Sequence, residues 1–428
     1  MSSQNNDFST ITPQEWKLKV QAELAGLDYN EVLVWDTFEG IQVKPVYTKE
    51  DTEHQYLNPE ITNKDWKIIG NYLDDPKQDF SYLYGFNLKD EFIEKTSTIP
   101  EYLDLFLSCE NPFKLIKKNN FSKIPNLKYL GLDVLGNFAR TGNWYQSEKE
   151  DFELAEQILN ENSFEKSILV DASLYQNAGA NHVQQIALAI AHGNEYLQKL
   201  GTEFANKIYF KTAVGSNYFF EIAKLKAIRK LWNLILEEYN SDAETFIYAE
   251  TSLRNKSILD IHNNIIRSGL EASSAVLGKA DVVSISSYDS LKNSTSFSEE
   301  LASKQQLLLQ RESYYDKFHD PVSGSFFVEN LTELFCKNAL ELFKKIEAEG
   351  GFFKGLFEGS IQKMISKSAE KEQIAFDEGK LILIGVNKFR NKTENVEFLP
   401  EEVPNNVRTF IQPIFPKRLS TKIEKTPV

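Results

Sequence analysis

The sequence is short of the residues that simple chemistries require. It has two cysteines, Cys109 and Cys336, far apart and outside any metal or redox spacing. They read as two buried thiols in a reducing compartment. Five histidines and two methionines exclude a histidine-rich metal centre. Basic charge is also scarce: 48 Lys and Arg against 62 Asp and Glu give a net charge of -14. That balance argues against nucleic acid or an anionic membrane as the main partner. No apolar run reaches the ~18–20 residues that span a bilayer. Residues 1–11 lack the basic start and apolar core of a signal peptide, so a cytoplasmic location is expected. There is no solenoid-type repeat and no low-complexity tract.

What is present is a soluble globular composition, 41% apolar and 26% charged. The central stretch is Ser167-Ile-Leu-Val-Asp-Ala-Ser-Leu-Tyr-Gln-Asn-Ala-Gly-Ala180. Its apolar start reads as a buried strand, and Asn177 to Ala180 as a small-residue turn into a helix. In a parallel barrel, residues just after a strand face the catalytic mouth. Here they are Leu174, Tyr175 and Gln176, none poised for proton transfer near neutral pH.

Similar apolar runs recur at 66–70, 82–87, 104–107, 129–135, 168–172, 207–212, 246–250 and 281–286. Helix-period segments occupy 181–200, 216–239, 261–277 and 297–312. Strand–helix alternation predicts a parallel sheet, and eight units predict an α/β fold of the (β/α)8 TIM-barrel type. Irregular spacing and polar composition over 88–165 predict a partly degenerate first half. Residues 1–60 read as an extended N-terminal arm for subunit contact, with a capped helix at 12–25 and a hairpin from Val32 to Tyr47 turning at Gly40. Trp16, Val20 and Leu24 form the stripe of that helix. Residues 61–390 read as the barrel with C-terminal helices at about 330–349 and 354–377. Residues 391–428 read as an irregular tail.

Several other conspicuous side chains read as structural. His182 and His192 read as helix positions, and His319 as a turn. Arg311 and Glu312 read as a helical pair, Phe326, Phe327, Phe352 and Phe353 as core or contact residues, and Glu148–Glu153 as a solvated face. Asp260-Ile-His262 reads as a helix start.

Seven segments in order resemble the adenosylcobalamin-dependent methylmalonyl-CoA mutases. They are Thr37–Thr48, Gln176-Asn-Ala-Gly-Ala180, Asn217–Trp232, Asn263-Asn-Ile-Ile-Arg267, Gln306-Leu-Leu-Leu-Gln-Arg-Glu-Ser313, Asp320–Glu329 and Ile384-Gly-Val-Asn-Lys-Phe-Arg390. The resemblance covers about residues 12–390. It implies a substrate barrel of the mutase type and an arm that embraces a partner subunit.

The departures carry as much as the matches. In the family, a histidine in H-x-Q-E-A-G-A bonds the substrate thioester carbonyl; Leu174 stands there and can do no such thing. In W-x-I-R-Q-Y-A-G the Arg and Tyr face substrate; the matching residues here are Ile69 and Asn71. The cobalamin domain of the family carries D-x-H-x-x-G, whose Asp orients the cobalt-ligating His; Asp260-Ile-His262 has Ile265 in place of the final Gly. The resemblance therefore implies a chain with no catalytic, cofactor-binding or metal residue of its own and no cobalamin-binding domain. Adenosylcobalamin is expected on a catalytic large subunit, the partner in a heterodimer, with a homodimer open to the isolated chain. The alternative is an acyl-CoA-binding barrel, active with a cobalamin domain on a separate chain.

Overall fold

The computed structural model describes residues 11–51, 65–72, 81–89, 99–108, 110–117, 126–391 and 408–425, with 93, 121 and 124 between them. The expected boundary at 60, Cys109 and tail residues 392–407 lie outside them.

The arm begins with helix α1 (Pro13–Glu23), started by a capping box in which Thr12 and Glu15 satisfy each other's backbone groups. Its apolar stripe reaches no core: no residue of α1 is buried, and Trp16 only meets Tyr29 edge-on. The expected hairpin is shorter than its sequence pattern. Asp28 accepts from the N–H groups of Asn30 and Glu31 and starts helix α2 (Tyr29–Leu33) where extended chain was expected. That leaves β1 (Trp35–Asp36) and β2 (Gln42–Val43), paired antiparallel around a left-handed Gly40.

Eight parallel strands then close into a barrel: β3 (Lys67–Asn71), β4 (Gly85–Lys89), β5 (Asp104–Ser108), β6 (Leu127–Leu132), β7 (Lys166–Asp171), β8 (Ile208–Val214), β9 (Ile247–Thr251) and β10 (Val282–Ser284). Each pairs with the next in sequence, and β10 returns to β3. All eight expected strands are present, and the register irregularities fall in the expected degenerate first half, between β5 and β6 and between β6 and β7. One boundary is corrected. Val134 and Leu135 are helical, because Asp133 accepts from Gly136 N at 2.7 Å and ends the strand run.

The helices are α3 (Pro112–Lys117), α4 (Val134–Thr141), α5 (Glu148–Glu161), α6 (Ser173–Asn177), α7 (His182–Leu200), α8 (Tyr218–Glu238), α9 (Asn263–Leu277) and α10 (Ser296–Leu307). They are followed by α11 (Phe326–Ala348), α12 (Gly351–Glu358), α13 (Ser360–Asp377) and α14 (Thr421–Glu424). The expected helix through 312 stops at Leu307, and 308–312 is a π turn. Arg311 and Glu312 are thus exposed on that turn rather than paired along a regular helix. The single helix expected at 354–377 is two, because Gly359 adopts a left-handed conformation between them.

Asp151, expected on a solvated face, is buried. It accepts from Tyr145 N at 2.8 Å and Gln146 N at 3.0 Å, holding the chain that enters α5. Phe352 is fully buried and stacks on His192 at 4.7 Å. The main core lies between the strands and the helix ring; a second, separate one lies inside the barrel.

Gly179 shows how tightly the post-β7 connection is built. Its φ is +100°, and a β-carbon there would lie 2.5 Å from Ala369 Cβ on α13. Gly179→Ala combines left-handed strain with a backbone-level clash. We expect a loss of about 2–4 kcal/mol in urea unfolding; a loss under about 1 kcal/mol would show that α13 shifts freely.

Candidate functional site

The C-terminal mouth is where barrel chemistry belongs. After β7 the chain forms α6 rather than a simple turn. Leu174 is 2% exposed and joins the core between barrel and helices. Tyr175 is also buried, its hydroxyl 2.9 Å from His192 Nδ1. Gln176 and Asn177 act as a crosslink. Ser252 Oγ donates to Gln176 Oε1 at 2.9 Å, and Leu253 N donates to Asn177 Oδ1 at 2.9 Å. The loops after β7 and β9 are thereby tied together.

Inside the barrel, Ile69, Phe106, Tyr129, Tyr209, Tyr248 and Val282 form a closed cluster. The Phe106 and Tyr129 rings lie parallel with centroids 3.9 Å apart, and Tyr248 packs on Phe106 at 5.6 Å. The axis is therefore filled by rings. Above them sits a polar layer. Asn87 donates to Tyr248 Oη at 2.6 Å and to Asn71 Oδ1 at 3.0 Å, and Asn71 donates to Glu299 Oε2 at 2.9 Å. Lys211 and Glu250 pair at 2.7 Å. Burial alone would depress the Lys211 ammonium, but Glu250 outweighs it and holds Lys211 charged. Below the rings, Lys67 donates to Tyr129 Oη at 2.9 Å and lies over the Tyr84 ring. Ile69 and Asn71 thus belong to an interior that satisfies itself.

The tail crosses this mouth. Ile414 N donates to Ala139 O, Lys417 N to Asn177 O and Leu419 N to Arg254 O. The tail therefore bridges α4 and the loops after β7 and β9. Arg418 and Glu424 pair at 2.7 Å, and Glu424 also accepts from Ser257 Oγ and Ile258 N. Asp260 and His262 do not fit an axial cobalt ligand with its orienting carboxylate. Asp260 accepts from Asn263 Nδ2 at 2.6 Å, while exposed His262 begins α9 with its ring against Tyr288. Among the described residues no group of three or more His, Cys, Asp or Glu could hold a metal ion.

The strongest electrostatic feature lies beside the axis. His182, at the start of α7, has Nδ1 2.7 Å from Glu39 of the arm and Nε2 3.3 Å from Glu221 of α8. Burial opposes its protonation, but bonds to the two carboxylates prevail and raise its pKa to about 9. Burial likewise opposes the Glu221 carboxylate, yet Lys224 and His182 bring its pKa to about 2. His182 is thus an imidazolium clamp between arm and barrel. His192 is fully buried, and His319 is exposed outside any such cluster. A further buried pair, Lys256 with Glu271 at 2.7 Å, braces the loop after β9. None of these pairs was legible in the sequence, since Glu39 and His182 are 143 positions apart.

The fold and mouth define an α/β barrel with an N-terminal arm, an aromatic axis and self-paired mouth residues. The sequence model of methylmalonyl-CoA mutase matches residues 127–412, two thirds of the chain, and this protein belongs to that family. It is 29% identical to the methylmalonyl-CoA mutase small subunit of Porphyromonas gingivalis, over 91% of this chain and 71% of that one. It is 34% identical to the methylmalonyl-CoA mutase of Rhizobium meliloti, over 53% of this chain and 34% of that one. With the mitochondrial methylmalonyl-CoA mutase of Macaca fascicularis it shares 26% over 90% of this chain and 62% of that one. The chain thus spans about a third to two thirds of the last two.

The clamp has a pH signature. The folded pKa of His182 lies above its ordinary 6.5, so its stabilisation is complete below 6.5 and is lost as pH rises through about 9. At one pKa unit per 1.36 kcal/mol, the loss is on the order of 3 kcal/mol. Glu221 has the opposite sign, its contribution being lost only as pH falls below its ordinary 4.5 through about 2. Urea unfolding between pH 6 and 10 should therefore weaken more steeply in the parent than in His182→Gln. Equal slopes would remove the clamp from the pH dependence.

Proposed function

We propose that this chain is the non-catalytic small subunit of a heterodimeric methylmalonyl-CoA mutase. In that reading it supports, in the cytoplasm, a catalytic large subunit that carries adenosylcobalamin and interconverts methylmalonyl-CoA and succinyl-CoA. The observation that carries the reading is the aromatic axis. A barrel that threads an acyl-CoA needs an axial passage, and Phe106, Tyr129, Tyr209 and Tyr248 occupy that space. Leu174 adds to it: at the position of the thioester-binding histidine stands a buried aliphatic side chain. An uncharged hydrocarbon supplies no donor to a developing oxyanion. The similarity to the small subunit of Porphyromonas gingivalis over most of both chains supports the same assignment.

The arm supports the heterodimer. Ile11, Leu18 and Leu27 are 59–71% exposed, and Trp35 is half exposed. Large apolar side chains gathered on one extended element mark a contact surface. A cofactor on the partner would supply the radical chemistry; this chain would supply interface area and a rigid neighbour.

Purified alone with adenosylcobalamin and methylmalonyl-CoA, the chain should form no succinyl-CoA. Co-expressed with a large subunit, it should co-purify in a one-to-one complex that turns over. Leu18→Asp with Leu27→Asp should weaken that complex at least tenfold while leaving the barrel folded. Turnover by the lone chain, or by the chain with only an added cobalamin domain, would instead favour an acyl-CoA-binding barrel.

A further inference from the structure

At the end of the barrel opposite the mouth lies an open hollow of about 1110 Å³. The starts of β3 and β7, the loops entering β8 and β9, and the later half of α8 line it. Lys67, Lys166 and Lys207 reach it, and among the described residues none of the three forms an ion pair. Lys67 is held by Tyr129 Oη at 2.9 Å and by the Tyr84 ring at 4.3 Å, a face that favours a cation. Lys207 donates to Phe164 O.

Lys166 is held differently. It is the first residue of β7 and only 8% exposed. Its Nζ makes one good bond, to Asn206 O at 2.8 Å, and two long ones, to Asn206 Oδ1 at 3.3 Å and Glu244 O at 3.4 Å. The Phe246 ring centroid lies 5.9 Å away. The charges acting on it come from Glu165 just before β7, Lys207 before β8, Glu244 before β9 and Asp281 before β10. Arg229, paired with Asp281 at 2.8 Å, and Glu237 line the α8 side, and Asp242 the loop before β9. Burial, joined by Lys207, outweighs the three carboxylates and brings the ammonium down to about 8.

An amine held this way suits acylation. Near pH 7.5 about a quarter of it is free base, against about one part in a thousand for an ordinary lysine. Its lower basicity takes back part of that gain and leaves about tenfold. The amide product keeps one N–H, enough for the 2.8 Å bond to Asn206 O, and gives up only the long bonds. It also removes a buried charge that has no counter-ion. The acyl chain extends into the hollow, where Glu165, Glu244 and Asp281 disfavour a further carboxylate.

We propose that Lys166 is a site of covalent modification that takes a short, uncharged acyl group from an activated donor, a thioester or an acyl phosphate. The amine lone pair attacks the donor carbonyl. The C–N bond forms as the C–S or C–O bond breaks, the departing thiolate or phosphate keeps that electron pair, and the nitrogen releases one proton to solvent. Nothing is oxidised or reduced. The site is independent of the subunit assignment above.

The full chain is incubated near pH 7.5 with S-propionyl-N-acetylcysteamine or with propionyl phosphate, and acylation of each lysine is followed by peptide mass spectrometry. Lys166 should react at least tenfold faster than the exposed Lys363 and Lys371 with one donor or both, and the faster donor identifies the source. Its rate should level off above pH 9 while theirs still climb. In unfolding concentrations of urea the preference should vanish. S-succinyl-N-acetylcysteamine, which adds a carboxylate, should lose most of the preference. Glu244→Gln, at an exposed position, should speed Lys166 about twofold at pH 7.5 by removing a charge that favours the ammonium. A rate at Lys166 within twofold of the exposed lysines with both donors, a preference that survives unfolding, or a rate that climbs with pH as theirs does would overturn the proposal.

Discussion

A closed eight-stranded barrel must fill its own interior, and how it does so decides everything above the strands. Here Phe106, Tyr129, Tyr209 and Tyr248 fill it, with Ile69 and Val282 completing the layer. Such rings bring large buried area and fixed geometry, and each tyrosine must also place a hydroxyl. Those hydroxyls organise the ends. Tyr248 meets Asn87, Tyr209 donates to Leu130 O, and Tyr129 lies between Lys67 and Glu165. The polar residues at both ends of the axis are thus committed to supporting the aromatic layer. A barrel that uses its interior in this way is rigid along its axis.

Charge is handled by the same logic. Removing one member of a buried ion pair costs far more than the pair contributes, so such pairs act as fixed joints. Three joints hold three appended pieces. Glu39–His182–Glu221 fastens the arm, Lys256–Glu271 braces the loop after β9, and Arg418–Glu424 fixes the tail across the mouth. Their members are nearly all buried and mutually satisfied. Perturbed titration usually points to catalysis. At the first two joints the shifted groups His182, Glu221, Lys256 and Glu271 each face a fixed protein partner at bonding distance or within ion-pair reach.

The sequence made the barrel legible because its strands are buried on both faces and read as continuous apolar runs. Strand ends were less legible where a cap overrode the pattern: Asp133 turned Val134 and Leu135 into helix, and Asp28 turned Val32 and Leu33 into helix. Gly359 divided a helix that periodicity ran together. Leu174, Ile69 and Asn71 could be identified as departures only by comparison with the family's motifs; Leu174 and Ile69 carry no hydrogen-bonding group, whereas Asn71 does. The aromatic plug could not be read, since alternation along one strand does not say which face turns inward once eight strands close. Nor could the clamp, because a hydrogen bond between Glu39 and His182 leaves no mark on local periodicity.

The arm shows why these two illegible features belong together. An extended segment with little core of its own must be held at a defined place before it can present a surface. One hinge of that hold is polar, at Glu39, and the other is aromatic, where Trp35 meets Phe220 at 5.5 Å and Tyr47 meets Phe327 at 5.2 Å. Both hinges rest on α7, α8 and α11, the helices packed most heavily on one another. Those helices are in turn braced against strands whose inner faces are locked by rings. A soft or water-filled axis would let β7 and β8 move relative to one another and would loosen His182 from Glu221. The plug therefore gives the arm a stationary base.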